Sequence, residues 1–151
     1  MDPFLKAKQY SFLLLKFRLR SEKELEDRLK RKKFGLDIIR QTVTFLKEKK
    51  FLDDHIFARS WIQSRLKKPL GLARLRQELK FKGIDSKIIE AQLEEAKKDY
   101  SEEETVLRLA KERLGKLRGI DPQKAKQRVY GYLLRRGFSA RAIIEAIEQL
   151  C

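Results

Sequence analysis

Cysteine occurs once, as Cys151 at the final position. An internal disulfide is therefore impossible, and a secreted scaffold held by cystine bridges is excluded. A thiol placed last has little around it to hold a base, which argues against a cysteine nucleophile. Histidine also occurs once, as His55. One imidazole beside Asp53 and Asp54 is too few donors for a metal centre, and the two acids read instead as helix caps. The only strongly apolar run near the start is Phe12–Leu15, far too short to cross a bilayer and without the flanks of a signal peptide. A soluble, cytoplasmic protein is the expectation. Gly115-Lys116 is followed by Leu117 rather than Ser or Thr, so no phosphate-cradling loop is present. No catalytic residues, no metal and no cofactor are expected, and the chain reads as a non-enzyme.

Three prolines and seven glycines in 151 residues leave little turn chemistry for sheets, while Leu, Lys, Glu and Arg are abundant. This composition favours an all-α protein. Thirty-seven Lys plus Arg stand against 22 Asp plus Glu, a formal charge of +15. Such an excess suits a polyanion or an acidic protein surface. Residues 1–50 carry 15 bases and 7 acids, 51–100 carry 11 and 8, and 101–151 carry 11 and 7, so the first segment has the largest share.

The apolar pattern repeats. Leu75, Leu79, Ile84, Ile88, Ile89, Leu93 and Ala96 form one set. The same spacing, without a gap, gives Leu25, Leu29, Phe34, Ile38, Ile39, Val43 and Leu46 upstream, and Val129, Leu133, Phe138, Ala142, Ile143, Ile147 and Leu150 downstream. An i, i+4 step followed by i, i+1, i+5, i+8 places each set on one face of two successive helices. Between the helices stand Lys32, Lys82 and Arg136, followed by Lys33, Gly83 and Gly137; glycine there ends a helix in the left-handed conformation. Gly35, Asp85 and Ser139 occupy the next caps.

A further helix precedes each pair. The first, over residues 4–19, is expected to bury Ala7, Tyr10, Leu14 and Phe17. Ser21 with Glu24, and Ser101 with Glu104, are capping-box signatures. Phe57, Ala58, Trp61 and Ile62 mark the inner face of the helix after Asp53-Asp54, and Val106, Leu109, Ala110 and Leu114 that of the helix after Ser101. Tyr130 is assigned to the core. Asp121-Pro122 is a cap followed by a first-turn proline. Nine helices result, as three tandem three-helix repeats over 1–50, 51–100 and 101–151.

Basic residues gather at helix ends: Lys30, Arg31, Lys32 and Lys33, with Arg18 and Arg20 nearby in sequence, then Lys80 and Lys82, then Arg135 and Arg136. These ten are the candidate partner-binding residues, for an acidic protein surface or for DNA phosphate. Bases in the last turn also complement the helix dipole, and both readings hold at once.

Three segments carry a resemblance: RLRSEKELEDRLKRKKF (Arg18–Phe34), FLDDHIFARSWIQSR with KPLGLARLRQELKFKGI (Phe51–Arg65 and Lys68–Ile84), and YLLRRGFS (Tyr132–Ser139). Together and in this order they resemble the RecX family of bacterial recombination regulators, with Lys33 standing where the other copies have glycine. The resemblance implies an elongated, curved array that binds the RecA recombinase, chiefly as a filament on DNA; separately, a monomer is expected, since apart from Cys151 nothing in the sequence suggests dimerisation. The resemblance further implies inhibition of RecA-driven ATP hydrolysis and strand exchange, filament disassembly, and weak non-specific binding to single- or double-stranded DNA. Two readings remain beside it. One is a nucleic-acid-binding helical repeat acting alone, although the aligned second helices share no set of Arg, Asn or Gln suited to base edges. The other is a helical scaffold for a different protein.

Overall fold

The structure, a computed structural model, describes residues 1–151. It contains nine helices and no strand: α1 (Pro3–Phe17), α2 (Glu22–Arg31), α3 (Leu36–Glu48), α4 (Asp54–Arg65), α5 (Leu72–Phe81), α6 (Ser86–Ala96), α7 (Glu102–Lys116), α8 (Pro122–Arg135) and α9 (Ala140–Leu150). None is long and apolar enough to cross a membrane. The starts follow from local chemistry. Ser21 and Glu24 make the full reciprocal capping box, and Asp121, Ser101 and Ser139 each accept a first-turn amide. Gly35 starts α3 without a side-chain cap.

All three predicted turns have one geometry. Lys33, Gly83 and Gly137 are left-handed, with φ of 67°, 81° and 91°. The amides of Phe34, Ile84 and Phe138 reach back to the carbonyls of Leu29, Leu79 and Leu133 at 3.2, 3.1 and 3.3 Å. This long-range bond and the left-handed residue before it are the helix-ending motif that satisfies otherwise orphaned carbonyls.

Packing divides the chain into two compact units: Met1–Trp61 with Leu79–Ile89, and Ile62–Glu78 with Glu90–Cys151. In the first, α1, α2 and α3 enclose Ala7, Leu14, Leu25, Leu29, Ile39, Val43, Leu46 and Leu52. In the second, α7, α8 and α9 enclose a core built on Val106, Leu109, Val129, Leu133, Phe138 and Ile143. Every one of the 21 aligned apolar residues is buried or half-buried. Burying a side chain of this size contributes about 1.5–3 kcal/mol, so the repeated stripe accounts for the placement of each second and third helix.

One expectation is corrected. Phe17 is 83% exposed, and the buried face of α1 is Ala7, Ser11 and Leu14. The inner stripe runs through Ser11, whose hydroxyl donates to the Ala7 carbonyl at 2.8 Å and so enters the core satisfied. That rotation turns position 17 away, and the backbone is already extended at Arg18. Tyr10 is half-buried.

Candidate functional site

The candidate cations divide by environment. Within the first unit, the Glu24 carboxylate accepts from Arg18 at 2.7 and 3.2 Å, from the Ser21 amide at 3.1 Å and from Lys82 Nζ at 3.0 Å. Burial alone pushes the Glu24 carboxyl up, but these donors outweigh it and bring the pKa down to about 2. Arg18 is correspondingly raised by its bond to Glu24. Ser21 completes the knot: its Oγ accepts from the Glu24 amide at 3.1 Å and donates to the Lys82 carbonyl at 2.7 Å. Arg18 and Lys82 are thus engaged within the fold, holding the start of α2 to the turn after α5.

The second unit contains the equivalent joint. Gly71, fifty residues after Ser21, donates its amide to the carbonyl of Arg136, the residue aligned with Lys82, at 2.9 Å. Arg136 Nε donates to the Pro69 carbonyl at 3.1 Å. In both joints the preceding helix start packs on the turn glycine: a Cβ on Gly83 would strike the Lys23 side chain, and one on Gly137 would strike the Arg74 backbone. Lys33, at the first turn, is exposed, and the Lys32 carbonyl receives no equivalent bond. Glycine is thus required at two turns for space as well as for φ, and a lysine is admitted at the third.

The aligned cations Lys32, Lys82 and Arg136 each stand over an aromatic ring, Tyr10 at 5.1 Å, Trp61 at 5.0 Å and Tyr132 at 5.4 Å. Arg20 Nε is buried without a hydrogen-bond partner, and burial, then the charge of Arg18, lowers the Arg20 pKa. Lys30, Arg31, Lys32 and Lys33 are all exposed and outside any ion pair, as are Lys80 and Arg135. The Lys30–Lys33 run is the largest free group of positive charge among the ten candidates.

Two concavities accompany these surfaces. A cavity of about 550 Å³ in the first unit is lined by Glu22, Lys47, Asp53, Asp54, His55 and Asp85, among others. Its carboxylates serve the backbone: Asp53 accepts from the His55 amide at 2.9 Å, Asp54 from the Glu22 amide at 3.0 Å and Asp85 from the Lys87 amide at 2.7 Å, while Glu22 pairs with Lys47 at 3.0 Å. Burial raises the Asp54 pKa despite its amide partner. In the second unit a cavity of about 480 Å³ between α7 and α8 brings Arg135 together with Arg113, Arg128, Gln127 and Tyr132. Arg113 and Arg128 escaped the sequence reading, which weighed charge by fifty-residue segments. A finer window finds them: residues 113–136 hold eight bases and one acid, Asp121.

Comparison with known proteins follows the repeats. Family models described as the first, second and third three-helix domains of RecX match residues 7–46, 53–93 and 101–147. Among curated relatives, the "Regulatory protein RecX" of Chlorobium phaeobacteroides (strain BS1) is 36% identical, covering 96% of this chain and 93% of the relative. The one from Clostridium botulinum (strain Eklund 17B / Type B) is 30% identical, covering 98% and 70%. The crystal structure of RecX from Lactobacillus salivarius superposes with a TM-score of 0.88 at 24% identity, covering 99% of this chain and 97% of that one, which shows a shared fold.

Proposed function

The chain belongs to the RecX family, and from that premise we propose that it is a non-enzymatic regulator of homologous recombination that acts by binding RecA, chiefly as a filament on DNA. In this reading it works in the cytoplasm as a monomer, slows RecA's ATP hydrolysis and strand exchange, and favours filament disassembly. The observation that supports it is the doubled joint: Ser21 bonds the Lys82 carbonyl within the first unit and Gly71 bonds the Arg136 carbonyl within the second, so one helix-start-to-turn contact recurs along the chain. A recurring structural motif suits a partner that is itself a repeat, because several weak contacts then add as avidity. Blocking a polymer in this way needs binding only. The exposed Lys30–Lys33 run supplies the charge, meeting acidic RecA surface or DNA phosphate, with Lys80 and Arg135 as further contacts.

The test is RecA's single-stranded-DNA-dependent ATP hydrolysis, titrated with this protein at fixed salt while its binding to bare DNA is followed in parallel. Inhibition well below one molecule per RecA, and below DNA saturation, is the expected result. Inhibition that appears only once bare DNA is coated would make the protein a competitor for DNA instead.

A further inference from the structure

We propose that the cavity between α7 and α8 is an oxyanion site that receives a backbone phosphodiester of nucleic acid. It is lined by Arg113, Arg128 and Arg135 with Gln127, Tyr132 and Gly131, and no carboxylate reaches it. None of the three arginines takes part in an ion pair, although the protein makes many elsewhere. At about 480 Å³ the space falls in the range of small-ligand pockets.

Two details show that the arrangement is built. The Arg113 guanidinium lies 3.6 Å from the centre of the Tyr132 ring, a close cation–π contact that ties α7 to α8 at the site. Gly131 stands inside α8, where glycine is less favourable than alanine. A Cβ there would meet only the Arg135 guanidinium, Nη1 at 3.1 Å and Cζ at 3.9 Å, so the missing side chain makes room for it. Planar forks with several donors match a phosphate bidentately, which a lysine does not do.

The surroundings select a nucleic acid over a protein carboxylate. Residues 113–136 carry a net +7, and the sole acid, Asp121, caps the Lys124 amide at 3.2 Å. An extended positive field suits a ligand whose charge repeats. Protein interfaces centre on apolar and aromatic side chains, whereas the only exposed large apolar residue here is Leu134. Tyr132 already carries the Arg113 guanidinium at 3.6 Å and the Arg136 guanidinium at 5.4 Å, so cations compete with bases for its ring. The site therefore reads backbone and not sequence. The proposal stands on the second unit's own side chains and does not depend on the RecA reading.

The experiment uses the full chain without RecA and follows binding to a labelled DNA strand by fluorescence anisotropy across about 50–200 mM salt. Arg128→Ala with Arg135→Ala is expected to weaken binding at least about tenfold and to flatten the salt dependence by roughly one to two phosphates. Gly131→Glu, which places a carboxylate among the arginines and touches only a flexible side-chain tip, is expected to do the same with every arginine retained. Circular dichroism confirms the fold of each. Affinity within about twofold of the parent and an unchanged salt slope in both variants would overturn the proposal. So would unchanged DNA affinity together with lost inhibition of RecA's ATPase, which would assign the pocket to a protein carboxylate. If DNA affinity falls while the parent shows no effect on RecA, the phosphate site stands and the RecA reading fails.

Discussion

The Ser21 hydroxyl donates to the Lys82 carbonyl across 61 residues of sequence, at 2.7 Å, while accepting from the Glu24 amide at 3.1 Å. One fully buried oxygen thus starts a helix and holds the neighbouring turn. Ser21→Ala removes the cap and leaves the Lys82 carbonyl unsatisfied. The expected loss is about 2 kcal/mol, measured by urea unfolding. A loss under about 0.5 kcal/mol would mean that water replaces the hydroxyl at both ends.

The turns respond in opposite senses. Gly137→Ala, at φ 91° and against the Arg74 backbone, is expected to cost about 3 kcal/mol or more, from strain and overpacking together. Lys33→Gly, at φ 67° with no neighbour packed on it, is expected to stabilise by up to about 1 kcal/mol. Thermal unfolding of the two variants separates these outcomes by sign.

Glu24 sets an acid response. Its folded pKa, about 2, lies below the ordinary value of 4.5, so its ionised form stabilises the fold. That contribution is complete above pH 4.5 and is lost as the pH falls through the folded value. Glu24→Gln is expected to be less stable than the parent at neutral pH, the gap closing between pH 4.5 and 2. Denaturant midpoints across that interval check it, and a gap independent of pH would refute the assignment.

Reversing Lys30, Arg31, Lys32 and Lys33 to glutamate tests the exposed cluster directly. These side chains make no ion pair, so folding is expected to survive. Inhibition of RecA's ATPase is expected to require at least about tenfold more protein, close to 1.4 kcal/mol of binding. Unchanged inhibition by the folded variant would place the contact elsewhere.

Phe17 and Leu14 provide the internal comparison for α1. Leu14→Ala is expected to cost about 2–5 kcal/mol, and Phe17→Ser no more than about 0.5 kcal/mol, in the same unfolding measurement.

The repeat spacing made the helices and their inner faces legible, because burial acts on every copy: Leu25, Leu75 and Val129 are all essentially inaccessible. Capping was legible for the same local reason, as at Ser21 and Asp121. Phe17 was misplaced because stripes through Tyr10 or through Ser11 both fit α1; the structure buries the small Ser11, its hydroxyl satisfied by the Ala7 carbonyl, and Phe17 falls in the last turn beside the extended Arg18. The functional surface was less legible. Lys82 and Arg136 look like free cations in sequence, but their partners come from segments brought close by folding, and Arg18 finds Glu24 across the turn that starts α2. The arginine cavity escaped because Arg113 and Arg135 lie on different helices and only their shared lack of acids links them.

Lys33 has a consequence for assembly between molecules. Each joint works like a plug and a socket, the turn after a second helix being the plug and the start of the preceding second helix the socket. The plugs at Gly83 and Gly137 are filled by their own chain. The plug at Lys33 stands open to solvent, yet it carries the β-carbon that at Gly83 or Gly137 would strike Lys23 or Arg74. A second copy repeating that contact at the first turn would meet a side chain where the two filled turns have none, so the lysine disfavours head-to-tail pairing through this turn.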